Sequence, residues 1–424
     1  MANQDLTDEV PYDLTFANKG VAIIDIAGGA KLTNITTVGS GPDFRIYFSG
    51  YTQSYPPQYV LGRLHADGSR DVTFGDNGVI KGGFPDQIAW GPFALLIQPD
   101  GKIITYGATT SDHPICCFAR FNSDGSLDET FATKGYALIE YNLTASSPAV
   151  NPLATENSDA AALGAQLLPD GKILAFATGR SGNRILAVIL QLTSNGVLDT
   201  TFNKIGYVQI AHHDPSYART SINSLSVQPD GTYLCCGRAW GEKPDVGLFV
   251  RLHTDGTRVK TFGTDGLVTV HAPTETGGII FERMAMQPNQ RTLVAGWTFK
   301  APTQGLMYSI EDNGEPNIQF NLGKLLLITF EKNKNSYWSA CAIQTNGRIV
   351  VVGSVEKNPQ QHDIIVERYV DATPDPTFNN GKGRVEIDLS GGNDLADGIA
   401  LQNDGKILLC GSTNGKAVIF RLHA

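Results

Sequence analysis

The chain of 424 residues lacks most of the features that announce a function. No apolar run approaches the roughly 20 residues that cross a bilayer as a helix. No block of five or more Lys and Arg occurs, so neither a nucleic acid nor an anionic membrane surface has clustered cations to meet. The formal net charge of −9 points the same way. The opening MANQDLTDEV is polar and acidic, without the charged, apolar and small-residue succession of a secretory leader. The expectation is therefore a cytoplasmic protein, with signal-less secretion as the other possibility. GxSxG, Walker A, HExxH and dinucleotide fingerprints are all missing, and no CxxC pair marks a metal site. The six cysteines include two adjacent pairs, Cys116–Cys117 and Cys235–Cys236. Neighbours on a strand point to opposite faces and are poorly placed to bridge, so buried reduced thiols are expected. No cofactor is expected either.

Glycine and short β-branched or aromatic runs are abundant instead. There are 46 glycines, and no segment sustains a 3.6-residue apolar period. Three markers recur in fixed order. The first is an apolar run closed by a turn: IQPDGK from Ile97, LLPDGK from Leu167, VQPDGT from Val227, MQPNQR from Met286, IQTNGR from Ile343 and LQNDGK from Leu401. A degenerate copy, GPDFR, begins at Gly41. Positions 42, 99, 169, 229, 288, 345 and 403 are equivalent, at intervals of 57, 70, 60, 59, 57 and 58. The second marker is Arg-Leu or Arg-Phe before an Asp-Gly turn, as in RLHADG from Arg63, RFNSDG from Arg120 and RLHTDG from Arg251. The third is Asp-x-Thr-Phe, ending at Phe16, Phe74, Phe131, Phe202 and Phe378, with relaxed copies at Phe262 and Phe320. Its Phe intervals are 58, 57, 71, 60, 58 and 58, so both markers share one long step, an insertion around Tyr141–Ala160.

Each unit reads as four short strands joined by tight turns, and seven such units predict an all-β, seven-bladed β-propeller of four-stranded antiparallel blades in one domain, residues 1–424. The chain starts at a fourth strand and stops after a third, RLHA from Arg421. The N-terminal strand is thus expected to close the last blade and remove two open sheet edges.

The run QPDGK at Gln98–Lys102 followed by Arg120–Phe131 resembles the delta-60 repeat, a family of bacterial β-propeller repeats. The resemblance extends along essentially the whole chain. It implies the propeller fold and almost nothing about activity. Val259 and Asn317 stand where the pattern has Asp, and Ser309 where it has Arg, which predicts less regular blades there.

A residue repeated in every blade serves the scaffold, because a catalytic site needs one asymmetric cluster. The Asp of Asp-x-Thr-Phe is expected to cap its turn, and the Arg of the second marker to pair with it: Arg63 with Asp71, Arg120 with Asp128, Arg368 with Asp375, and Arg421 with Asp13 across the closure. Function is expected on the opposite face, in the connections that differ between units. These carry the four tryptophans, Trp90, Trp240, Trp297 and Trp338, with Tyr217, Arg219 and Tyr337 nearby. Such residues either make hot spots and flat faces for a protein or glycan ligand, or fill gaps between blades. The adjacent His212, His213 and Asp214 lack further ligands at metal-binding spacing. The competing expectation is a metal-dependent hydrolase or lactonase with its site in the central channel, for which Asp86, Asp159, Asp394 and Asp397 stand just before innermost strands.

Overall fold

The computed structural model describes residues 11–39, 43–85, 90–108, 115–141, 164–181, 184–359, 361–389 and 391–423. The 141–160 insertion lies, but for Tyr141, outside the described residues. Among those described, the chain is all-β, with helix confined to single 3-10 turns such as Thr274–Thr276 and Asn321–Gly323. Seven antiparallel sheets follow one another along the chain, six of four strands and one carrying an extra two-residue strand, Thr373–Pro374. The innermost strands are Ala30–Val38, Trp90–Ile97, Gly164–Leu167, Arg219–Val227, Ile279–Met286, Ser336–Ile343 and Asp394–Leu401, opening blades 1 to 7. The blades with Val259, Ser309 and Asn317 are as complete as the rest.

Closure follows the expected route. Val21–Ile24 is the outer strand of blade 7 and pairs antiparallel with Lys416–Leu422, Val21 opposite Phe420. Backbone bonds from Asp13 N to Arg421 O and from His423 N to Pro11 O extend the join.

Packing lies between blades. Seven clusters of buried apolar residues occupy the seven junctions, including the one between blades 7 and 1. The phenylalanine of the third marker anchors every one of them: Phe16, Phe74, Phe131, Phe202, Phe262, Phe320 and Phe378 are at most 2% exposed. Each contributes about 1.5–3 kcal/mol by burial. Strand alternation supplies both junctions of a blade at once. Cys116 faces the junction of blades 2 and 3 while Cys117 faces that of blades 1 and 2. All six thiols are buried and unbridged.

The recurrent Arg and Asp form the predicted pairs, at 2.8 Å for Arg63–Asp71, 2.7 Å for Arg120–Asp128, 2.8 Å for Arg368–Asp375 and 2.9 Å for Arg421–Asp13. Each Asp also accepts the backbone N–H and hydroxyl of the Thr two residues on, as Asp128 does from Thr130 at 3.1 and 2.6 Å. In three of the four pairs the guanidinium also reaches the turn of the next blade. Arg120 donates to Ser194 O at 2.8 Å, and Arg421 to Ala66 O at 2.5 Å. Where the pattern breaks, the partners change together. Ser309 accepts from Asn317 at 3.0 Å, and Gln191 donates to Asp199 at 2.9 Å. Arg251, facing Val259, turns to Asp230 at 3.0 Å and Thr232 at 2.8 Å.

Candidate functional site at the channel mouth

Innermost strands run inward from the variable-loop face, and among the described residues five of them skip one residue at a β-bulge near that end, while that of blade 2 shifts register between Trp90 and Ala94. The skipped residues are Thr33, Asn223, Glu282, Ser339 and Asp397, in blades 1, 4, 5, 6 and 7. A bulge frees one residue from the ladder and re-aims its side chain. Close approach of the second strand makes this possible. The residue opposite each bulge is Gly50, Gly237, Gly296, Gly353 or Gly411, where an added Cβ would lie only 1.9–2.0 Å from a carbonyl oxygen of the bulged strand.

The five bulge residues do not share one task. Asn223 and Ser339 seal adjacent blades: Asn223 Nδ2 donates to Phe281 O at 2.9 Å, and Ser339 Oγ to Ala396 O at 2.5 Å. Glu282 and Asp397 are carboxylates instead. Asp397 pairs with Lys31 of the neighbouring innermost strand at 3.0 Å, with the two side chains 27% and 24% exposed. Glu282 Oε1 accepts the indole N–H of Trp297 at 3.1 Å. Arg283, the next residue, donates to Asn223 O at 2.9 Å. Tyr337, on the innermost strand of blade 6, completes the group.

These side chains share one electrostatic environment. Burial raises the pKa of Glu282, with Arg283, Trp297 and Arg238 opposing that rise and Asp397 adding to it. Burial alone disfavours the Lys31 ammonium, but Asp397, Tyr51 and Tyr337 outweigh it and hold its pKa above the ordinary lysine value. Burial likewise raises the Tyr337 phenol, with Asp397 adding to the effect. Beside the mouth, the Arg238 guanidinium lies 4.2 Å from the Trp240 ring centroid and 5.0 Å from that of Phe299. It also pairs with Asp245 at 3.0 Å.

The aromatic residues singled out from the sequence divide by position. Trp297 is part-exposed and bonded to Glu282, and Tyr337 is part-exposed at the channel. Arg219 opens the innermost strand of blade 4 and is part-exposed. Trp338 is a core residue, 0% exposed, packed edge-on to Phe330 at 4.8 Å between blades 5 and 6. The bulge at Ser339 directs its ring into that junction, so it presents no surface to a ligand. Trp240 and Tyr217 are also buried, at 9% and 5% exposure, the first beneath Arg238 and the second against His212 at 4.7 Å. Trp90 begins the innermost strand of blade 2, and its side chain lies outside the described residues.

A recess of about 450 Å³ on the same face, between blades 4 and 5, is lined by His212, Asp214, Tyr217, Lys243, Asp245 and His271 among others. Both ring nitrogens of His212 are occupied, Nδ1 accepting from Asp214 N at 3.0 Å and Nε2 bonded to Thr269 Oγ1 at 2.9 Å. Among the described residues no three His, Cys, Asp or Glu side chains converge as a metal site would require. Of the carboxylates that the hydrolase reading invoked, Asp394 is buried and accepts from Leu389 N at 2.7 Å, and Asp397 is tied to Lys31. Asp86 and Asp159 lie outside the described residues.

Comparison with known proteins adds the fold and stops there. Residues 98–131 and 168–202, one stretch in each of blades 2 and 3, match a family described as a beta-propeller domain of unknown function, DUF5122. Those two repeats are similar to that family. No curated protein matches the chain. Among solved structures, the polysaccharide lyase Uly1 is similar at 11% identity and a TM-score of 0.50, covering 99% of this chain and 98% of its own. Extracellular domains 1–2 of Drosophila Semaphorin 1a are similar at 10% identity and 0.50, covering 97% and 88%. At such identities the likeness is one of fold, which a polysaccharide lyase and the extracellular domains of a semaphorin share here. No helix among the described residues is long and apolar enough to cross a membrane.

Of the bulge residues the sequence reading singled out Asp397 alone, yet most of them leave a signal. Asn223, Glu282, Ser339 and Asp397 each stand six residues before the equivalent turn positions 229, 288, 345 and 403, and Phe93 and Leu163 hold the same offset from 99 and 169. That column changes chemistry from blade to blade while its surroundings repeat.

Proposed function

We propose that the chain is a binding propeller that takes a glycan at the channel mouth of its variable-loop face. The observation that carries this reading is the grouping of Lys31–Asp397, Glu282–Trp297 and Tyr337, whose charges act on one another, on the innermost strands and the adjoining strand of Trp297. Hydroxyl-rich ligands are held by part-buried acceptors and donors beside aromatic rings, and all three kinds of group meet here. A protein partner would favour an apolar centre on the contact surface. The large hydrophobic side chains that stand exposed among the described residues lie mostly elsewhere: Val72, Ile318 and Leu322 on the repeated-turn face, Ile23 and Leu138 on outer strands. Tyr55, 83% exposed, is the exception on the variable face.

The test is a printed array of neutral and acidic glycans probed with the full chain, followed by titration of any retained glycan against Trp297→Phe and Glu282→Gln. Glu282→Gln keeps the shape and removes the charge, and Trp297→Phe removes the indole N–H with part of the ring. Loss of about tenfold or more in affinity at an unchanged melting temperature supports the reading. Retained affinity in both variants, or no glycan retained at all, refutes it.

A further inference from the structure

Resting on the glycan-binding reading, the charge arrangement of the variable face narrows the ligand. Three cations around the channel mouth and the neighbouring recess already have a carboxylate in contact. Lys31 is held by Asp397 at 3.0 Å, Arg238 by Asp245 at 3.0 Å and Lys243 by Asp214 at 2.7 Å. Arg283 is committed to carbonyls of Asn223 and Glu282, and the Glu282 carboxyl acts on it electrostatically. A uronate or sulfate ester entering here must displace a carboxylate or sit beside one. Parting a part-buried ion pair leaves an uncompensated charge, and the entering group regains at best what was lost. Arg219 and Arg283 have no carboxylate within ion-pair distance among the described residues. A single part-exposed guanidinium is worth about 0–1 kcal/mol in such a pair. The net charge of −9 adds a long-range field that turns polyanions away.

We infer that the channel mouth selects an uncharged glycan and excludes glycans bearing uronate or sulfate groups. Specificity then arises from built-in competitors, with Asp397 and Asp245 occupying the cations an acidic sugar would need. The uncharged hydroxyls of a neutral sugar bridge the carboxylate and ammonium of Lys31–Asp397 without separating them, and lie against Trp297 and Tyr337.

The array separates this inference from the reading beneath it. Retention confined to uncharged glycans at about 0.15 M salt supports it. Retention of uronate or sulfated glycans at comparable strength overturns it and leaves glycan binding standing. An array with nothing retained overturns both. Asp397→Asn provides a second measurement with an opposite sign. It releases the Lys31 ammonium, so affinity for a galacturonate oligomer should rise about tenfold over wild type and fall again near 1 M salt. Circular dichroism and the melting temperature report whether the variant is folded. Unchanged galacturonate affinity in folded Asp397→Asn also overturns the inference.

Discussion

The Arg120–Asp128 pair offers a quantitative test of the scaffold, because the chain contains its own neutral alternative. Asp128 is 4% exposed and Arg120 5%. The carboxylate takes Arg120 Nε at 2.7 Å, Lys102 Nζ at 2.9 Å and the two Thr130 donors. Asp128→Asn keeps the shape and the Thr130 cap but strands two cations. Breaking one side of a buried pair costs about 3–5 kcal/mol, and the retained cap places this variant near 3. For a chain this long the melting temperature falls by about 3 °C. Arg120→Ser alone loses the bond to Ser194 and the stacking on Phe131, whose ring centroid lies 4.6 Å away. The double variant recreates the Ser309–Asn317 pair of blade 5, in which Asn317 Nδ2 meets Ser309 Oγ at 3.0 Å. Its cost should fall short of the sum of the single costs by about 2 kcal/mol. Guanidinium titration and calorimetry measure all four corners of the cycle. A cycle additive within about 0.5 kcal/mol refutes the argument. The pH dependence checks its sign. Burial raises the Asp128 carboxyl, but bonds from Thr130 and Lys102 and the charge of Arg120 overcome this and bring it well below the usual carboxylate range. A lowered folded-state pKa gives stability that is complete above about pH 4–5 and is lost as pH falls further. Asp128→Asn therefore flattens the acid limb of the stability curve.

Two further outcomes follow from the same geometry. Gly296→Ala brings a Cβ to 1.9 Å from Ile280 O opposite the Glu282 bulge, so the two strands must part. A loss of about 3 kcal/mol or more together with lost ligand binding is expected, and a wild-type melting temperature would contradict it. Asp363 is 5% exposed, and burial with the neighbouring Asp388 pushes its pKa up to about 7. A raised carboxyl pKa costs stability as pH climbs from about 4 to 7, so Asp363→Asn should stabilise by roughly 1–2 kcal/mol at pH 8 and by nothing at pH 4. Equal effects at both values would remove that assignment.

The architecture was legible because seven copies of one pattern constrain one another. The Phe of each Asp-x-Thr-Phe, the Arg–Asp pairs and the chain closure all appear where the spacing places them. Even the departures were readable as positions, although their effect was not. Ser309 and Asn317 predicted an irregular blade, whereas each compensates for the other. The site was harder to see. Glycines in the second strands read as turn signals, when several of them mark bulges in the strand opposite. Exposure of an aromatic residue depends on what the next blade brings against it. That is why Trp338 and Trp297, alike in sequence setting, end in a core and at the channel. Asp397 was already a candidate channel carboxylate, and six-residue spacing to the turn would have found Glu282 beside it, since it reads the one column that varies.

A residue lifted out of the ladder at a bulge carries little of the packing that holds its blade to the next. Where it neither bridges blades, as Asn223 and Ser339 do, nor lines a junction, it can be exchanged while the ring stays intact. If the proposed binding holds, the channel of this propeller works like a lock barrel with separately cut pins, in which one substitution per blade changes what the bore admits while the ring keeps its shape.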